Sequence, residues 1–264
     1  QQVLIPAFIA AYTDRDVVED DIFFTDPSYF KQIVPLPNWR ITYNGLAKLK
    51  PLKKYFSNIK VSHNYTSTYA FNSFQSDPGF DEKVELSFQE SGLDTNGNFY
   101  QEDLISQVTI TEKFAPLIKF DVTMKNNFSY KIEFSRSRTA NLSFATLNVN
   151  EQKSKEVRFG TGYKIPAGLW IKFGSVDYRT VKPINVEVSY GIKDNITTLY
   201  GIINENRTHT GGTKKISTTV SADYDPNVHM NLKFMFDYSK VVPYTSNNYP
   251  VTNLQVYILL TYRL

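Results

Sequence analysis

Apolar and polar residues alternate strictly in two stretches of the chain. From 228 to 239 the even positions are apolar or aromatic, and the odd positions are polar apart from one methionine. A period of two is typical of a β-strand with one apolar face and one wet face. The same pattern returns from 254 to 264. The apolar rows of these two predicted strands are Val228, Met230, Leu232, Phe234, Phe236, Tyr238, Leu254, Val256, Ile258, Leu260, Tyr262 and Leu264.

Similar alternation fills much of the chain before these strands and predicts a series of hairpins. The apolar rows lie at 59–71, 118–124, 128–134, 140–144, 157–163, 184–192 and 216–224. Tight turns are predicted at 125–127, 136–138, 193–195 and 225–227, and longer polar connections at 204–213 and 241–253. We therefore predict an all-β protein of roughly 12–14 antiparallel strands.

Three stretches interrupt the alternation, and we interpret them as excursions within a single segment that spans 1–264. Residues 13–35 are acidic and then aromatic, and residues 72–103 are long, polar and rich in turn residues. Residues 47–58 combine apolar residues near helical spacing with lysines, which predicts a short amphipathic helix interrupted by Pro51. The short apolar stretch 3–11 contains Pro6, which favours an edge, a bulge or the end of a strand.

Composition favours a transmembrane β-barrel over a helical membrane protein. No apolar run approaches the ~20 residues of a membrane helix, and mean hydropathy is −0.34. Barrel strands are half polar, so they leave hydropathy low. In a barrel the apolar rows of the later strands would face lipid, and the opposite rows would line a water-filled lumen. The lumen-facing candidates are Lys131, Glu133, Glu187, Lys233 and Asp237.

Side chains that carry chemistry are sparse, so we expect no enzyme, no cofactor and no metal. The histidines His63, His209 and His229 are far apart in sequence. A polar loop with Asp94, Asn96 and Asn98 faintly resembles a calcium loop, but its glycine is out of phase with that pattern. The net charge of +3 with no basic block gives no support for a nucleic-acid partner, and the absence of cysteine excludes disulfides.

An ordered series of sequence blocks covers nearly the whole chain. The blocks are IPAFIAAYT at 5–13, LPNWRITYNGL at 36–46, VTITEKFAPLIKFDVTMKNN at 108–127, FGTGYKI at 159–165, GGTKKISTTVSADY at 211–224 and the tail from 243 to 264. In this order they resemble the C-terminal region of the SprA/Sov family, the giant outer-membrane translocons of the Bacteroidetes type 9 secretion and gliding machinery. The tail differs mildly, because Tyr262 and Leu264 stand where a phenylalanine is more usual.

This resemblance implies a bacterial outer-membrane location and a function in protein transport. Members of the family form a single-chain barrel of about 36 strands, through which folded cargo proteins pass. The implied partners are the remainder of the SprA-like barrel, a PorV-like shuttle barrel, a periplasmic plug protein, secreted cargo proteins, and membrane lipids or lipopolysaccharide. Tyr262 and Leu264 would belong to the C-terminal barrel strand.

Two other interpretations remain open from the sequence. One is a self-contained porin-like or substrate-specific outer-membrane channel, and the other is a soluble β-sandwich that serves as a binding or adhesin domain. The predicted strands reach ten to twelve residues, longer than is usual in a sandwich, which favours a barrel. The chain begins at Gln1 and its first methionine is Met124. We therefore expect it to be a processed product or a fragment of a longer protein.

Overall fold

A computed structural model describes residues 4–13, 38–73, 75–76, 103–174, 176–245 and 248–262. The helices are α1 (Leu4–Thr13), a 3₁₀ turn (Leu46–Lys48) and α2 (Lys50–Lys53). The strands are β1 (Trp39–Tyr43), β2 (Phe56–Asn72), β3 (Gln75–Ser76), β4 (Asp103–Leu104), β5 (Gln107–Met124), β6 (Phe128–Ser143), β7 (Asn148–Ile165), β8 (Trp170–Phe173), β9 (Val176–Arg179), β10 (Ile184–Gly201), β11 (Arg207–Tyr224), β12 (Met230–Pro243) and β13 (Val251–Tyr262).

Nine of these strands form one sheet, and this confirms the predicted all-β class. Their order is β1-β2-β5-β6-β7-β10-β11-β12-β13, and every neighbouring pair is antiparallel. The hairpins β3–β4 and β8–β9 form two further small sheets. Among the described residues the nine-stranded sheet is not closed, and β1 and β13 are its two edges.

The register places the predicted apolar rows on one side of the sheet. Phe134, Val157, Ile192 and Ile216 lie opposite one another across four strands, and this side is the apolar face. The residues one position away, Glu133, Arg158, Gly191 and Ser217, define the polar face. We call the end of the sheet with the turns 125–127 and 225–229 the lower end, and the end with the turns 144–147 and 202–206 the upper end.

The N-terminal stretch is a helix, so its assignment to the end of a strand was wrong. Ile5, Phe8 and Ile9 recur at helical spacing and are buried against the upper half of the apolar face. Their partners on that face are Val108, Ile110, Ala140 and Leu142. Pro6 lies in the first turn of α1, where a missing backbone N–H breaks no helical hydrogen bond.

The segment between β1 and β2 contains less helix than the sequence predicted. The 3₁₀ turn and α2 end at Lys53, and β2 begins at Phe56, inside the predicted 47–58 excursion. Pro51 lies at the start of α2 rather than interrupting a longer helix, because proline fits the first turn. Of the described residues, none belongs to a helix long and apolar enough to cross a membrane.

Several predicted turns lie inside long strands. Residues 193–195 are in the middle of β10, and residues 136–138 are in the middle of β6. Charged and Asn residues in these stretches resemble turns, but cross-strand pairing continues through them without a break. The predicted loop 204–213 is a turn at 202–206, after which β11 begins at Arg207, and the predicted connection 241–253 is reduced to 244–250. The lower end also carries the long 166–183 connection with β8 and β9, so short turns and a long connection occur at the same end.

Candidate functional site

The predicted lipid-facing residues of β12 and β13 share the apolar face. The register joins Leu232 to Leu260, Phe234 to Ile258, Phe236 to Val256 and Tyr238 to Leu254, and it joins Met230 to Tyr262. Val228 is an exception, because it lies in the turn before β12 with 74% of its surface exposed. Leu264 lies outside the described residues. Whether these side chains contact lipid stays a prediction.

The same apolar surface continues across the lower half of the sheet. The row through Ile132, Phe159, Tyr190, Tyr238 and Leu254 crosses β6, β7, β10, β11 and β12 to reach β13. Many side chains of this apolar surface are exposed, among them Phe234 at 38% and Ile258 at 69%. Contiguous exposed apolar patches of soluble monomers rarely exceed a few hundred Å². A surface of this extent therefore requires a nonaqueous or protein neighbour.

The length of the apolar band can be compared with that of outer-membrane barrels. Along β10 the band extends from Ile184 to Ile192, which is about 27 Å along the strand at the usual rise per residue, or roughly 20 Å across a bilayer at the strand tilt of such barrels. Outer-membrane barrels carry an apolar band about 25 Å tall, with aromatic residues at its margins. Aromatic side chains also mark the lower margin here, where Tyr224 lies opposite Ile184 and its ring contacts Tyr178.

The predicted lumen residues share the polar face. Lys131, Glu133, Glu187, Lys233 and Asp237 all lie opposite the apolar rows. Lys131 Nζ donates to Glu187 Oε1 at 3.0 Å across the intervening strand β7. That strand has Gly160 and Gly162 at the crossing point. A Cβ on Gly162 would lie 2.5 Å from Ser129 Oγ and 3.4 Å from Glu187 Cγ, so the glycine leaves room for this ion pair.

A buried polar cluster lies beneath the C-terminal end of α1, and the sequence interpretation missed it. Glu112 accepts hydrogen bonds from the hydroxyls of Tyr12 at 3.0 Å and Tyr65 at 2.8 Å. Arg138 stacks on the Tyr12 ring and pairs with Glu151 at 2.6 Å. Burial and the nearby Glu112 carboxylate raise the pKa of the Tyr12 hydroxyl, so this tyrosine remains a neutral donor.

Glu151 is the centre of the other half of this cluster. It is only 3% exposed and accepts from Lys153 at 2.8 Å and from the Tyr200 hydroxyl at 2.9 Å, in addition to Arg138. Full pairing explains how a carboxylate is tolerated there. The sequence did carry a signal for this cluster, because charged residues interrupt the apolar alternation along two strands. Glu112 follows Ile110 on the apolar side of β5, and Arg138 precedes Ala140 on the apolar side of β6. The cluster lies between the open lower half of the apolar face and the upper half, which α1 covers.

Strand β13 is an exposed edge. It pairs with β12 on one side, and the described residues provide no strand on the other. Leu254, Ile258 and Leu260 on the apolar face, and Leu259 on the other, are more than half exposed. An apolar strand with unpaired backbone groups is a template for another strand. The arrangement can accept further strands in the same sheet.

The candidate chemical residues do not form a reactive group. His63 stacks near Trp39 and its Nδ1 is 2.5 Å from the Leu117 carbonyl oxygen. His209 contacts the Thr198 hydroxyl at 3.0 Å. Within the described ranges, no group of three His, Asp or Glu side chains could hold a metal ion. The calcium-loop candidates Asp94, Asn96 and Asn98 lie outside those ranges, as does most of the predicted 13–35 excursion.

Comparison with known proteins adds no family assignment. A scan against protein-family models finds no match to this chain, and a search of curated proteins finds no match either.

Proposed function

We propose that this chain forms part of the wall of an outer-membrane β-barrel that conducts proteins, of the SprA/Sov type. The observation that carries the proposal is the open apolar band on the lower half of the sheet, backed by a polar face. One face would contact lipid acyl chains, and the other would line a wide aqueous pore. The wall performs no chemistry in this proposal; it holds the pore open while loops and partner proteins select the cargo.

A soluble sandwich fits the band less well. In a sandwich a second sheet packs about 10 Å above the apolar face and buries it. In the part of the chain that the structure describes, α1 lies on the upper half of this face, and Tyr178 of the β8–β9 hairpin contacts Tyr224 at its lower margin. The lower-half residues Phe159, Tyr190 and Phe234 remain exposed. A bilayer supplies the missing neighbour without a second sheet.

The open sheet edges support a barrel that contains further strands. Lipid does not tolerate unpaired strand edges, because their backbone N–H and C=O groups have no hydrogen-bond partner there. Strands β1 and β13 therefore require neighbours, which the remainder of an SprA-like barrel would provide. A self-contained channel would instead need β1 to pair with β13. The described residues contribute nine strands to the sheet, an odd number, whereas single-chain bacterial outer-membrane barrels have even numbers.

The protein partners in this proposal rest on the sequence resemblance alone. They are a PorV-like shuttle barrel, a periplasmic plug protein and secreted cargo proteins with a C-terminal targeting domain. The polar face offers a mixed surface to such cargo, because Lys131 and Lys233 lie beside Glu187 and Asp223. A surface of both signs keeps a lumen hydrated without selecting strongly for the charge of a cargo protein.

Gentle detergent extraction of the native complex tests the proposal. Its size should be determined, and all its chains identified by mass spectrometry. We expect the chain to require detergent and to migrate with β-rich sequence that supplies the neighbours of β1 and β13, together with a second barrel. A lone particle of about 30 kDa that shifts on heating would support the self-contained channel. Extraction in buffer without detergent would refute both membrane interpretations.

A further inference from the structure

Four cations from two neighbouring cross-strand rows lie along the upper margin of the open apolar band, and together we call them the cation row. Arg136 on β6 lies opposite Lys155 on β7, and Lys214 on β11 is a diagonal neighbour of Lys240 on β12. All four side chains are exposed on the apolar face. None of them forms an ion pair with any residue that the structure describes.

The row contains one acidic residue, which is already engaged. Asp194 on β10 lies between Lys155 and Lys214, and its carboxylate accepts the Tyr244 hydroxyl at 2.8 Å. Four cations and one carboxylate leave three positive charges. Like charges directly opposite one another on neighbouring strands are destabilising, so this row favours an external anion.

The position of the row indicates the kind of anion. The next row below Arg136, Lys155 and Lys214 is Phe134, Val157, Ile192 and Ile216, which is the top of the apolar band, and Lys240 continues this row on β12. In a bilayer the cations would therefore lie where acyl chains give way to headgroups. Long lysine and arginine side chains reach toward headgroups from such positions. The lower margin differs, because its row of Ile165, Ile184, Tyr224, Leu232 and Leu260 contains no cation.

We propose that Arg136, Lys155, Lys214 and Lys240 bind the phosphate groups of lipid A, the anionic lipid of the outer leaflet. This inference rests on the proposed membrane function and adds a ligand and a leaflet to it. Lipid A carries phosphates on a sugar directly above its acyl chains, so one molecule places phosphate at the row and acyl chains on the apolar band. Arginine can hold a phosphate with two hydrogen bonds, and the lysines supply point charges. The upper end of the sheet would then face outward.

The structure offers a matched pair of variants for the test. Lys214→Gln removes a cation from the row, whereas Lys215→Gln removes its sequence neighbour, which lies on the polar face opposite Val241. The full membrane protein would be reconstituted in phosphatidylcholine nanodiscs that contain a small fraction of fluorescent lipid A. Energy transfer from the protein then reports the affinity for lipid A. Incorporation into the nanodisc is itself the check on the proposed function.

We expect Lys214→Gln to weaken lipid A binding about fivefold, the usual effect of one cation near an anionic membrane surface. Removing all four cations should abolish the salt-sensitive part of the binding, and Lys215→Gln should leave it unchanged. Dephosphorylated lipid A should bind the unmodified protein as weakly as lipid A binds the fourfold variant.

Three results would overturn the inference while leaving membrane insertion intact. They are equal losses in Lys214→Gln and Lys215→Gln, displacement of lipid A by millimolar inorganic phosphate, and equally tight binding of phosphatidylglycerol. The second would indicate a site for free phosphate, and the third a general anionic surface. A protein that never enters the nanodisc would instead refute the proposed function.

Discussion

Substitution of Phe234 by arginine is the most informative single change in the proposed lipid surface. Phe234 lies midway along the apolar residues of β12, which extend from Met230 to Tyr238. It lies between Ala222 and Ile258, with no charged residue directly opposite on either side. The adjacent Lys233 points to the polar face and lies 3.8 Å from Asp223. The two positions therefore test opposite faces at the same depth.

The expected magnitude depends on what covers the apolar face. If lipid covers it, an arginine near the midplane costs about 2–4 kcal/mol of folding free energy, which is roughly a 30- to 1,000-fold change in the folding equilibrium. If water covers it, replacing a phenylalanine that is 38% exposed has an effect of about 1 kcal/mol or less. Lys233→Glu breaks only a partly exposed ion pair and should cost ~1 kcal/mol or less in either case.

The assay is equilibrium folding of the full membrane protein into lipid vesicles, followed by tryptophan fluorescence as urea is varied. It gives the folding free energies of the Phe234→Arg and Lys233→Glu variants. The account predicts a large loss for Phe234→Arg and a small loss for Lys233→Glu. The loss of folding free energy for Tyr238→Arg, at the upper margin beside Lys240, should be near zero because the cost of a charge falls toward the membrane interface. Equal losses at Phe234 and Lys233, or a larger loss at Lys233, would refute the assignment of the two faces.

Three other changes test the packing that supports these faces. Gly212→Ala should lower the free energy of unfolding in urea by about 1–3 kcal/mol, because the new Cβ would lie 2.6 Å from the Asn195 carbonyl oxygen and the backbone has a φ of +155°. Gly211→Ala is the control and should be nearly neutral, because the space around Gly211 is open. Glu151→Ala should cost about 2–4 kcal/mol and expose the upper half to protease, because it leaves the Arg138 guanidinium without its carboxylate. Phe8→Ala should lower the free energy of unfolding by about 3–5 kcal/mol, because Phe8 packs in the core between α1 and the sheet. Hydrogen exchange should then rise at β5 and β6, while the lower half of the sheet stays protected.

The strand patterns were predictable from the sequence because each long strand has one consistently apolar face. The rows on β5, β6, β7 and β10 to β13 required only a period of two, and the register confirms that they share one side. Strand ends were harder to predict. Residues 193–195 and 136–138 resemble turns by composition, yet their neighbours across the sheet hold them extended. Cross-strand pairing outweighs local turn preference in such stretches.

The upper half of the sheet could not be predicted because its chemistry depends on contacts between distant segments. Glu112 and Glu151 lie on β5 and β7, on either side of β6. Tyr12 reaches Glu112 and Arg138 only because α1 folds back on the sheet. Residues 3–11 are short and contain a proline, so local preference favoured a strand end. Burial of Ile5 and Phe8 against β5 and β6 stabilises the helix instead.

The most direct test of the central claim is a cysteine scan along β12 and β13 in the full membrane protein. The chain contains no cysteine, so each introduced thiol gives a signal without background from this sequence. The best pair is Gln255→Cys and Val256→Cys, which are adjacent in β13 and lie on opposite faces, beside Asp237 and Phe236. The account predicts that a water-soluble maleimide labels position 255, and that position 256 is protected from it and reacts with a lipid-soluble reagent. Rapid labelling of both positions by the water-soluble reagent would contradict a lipid-embedded wall.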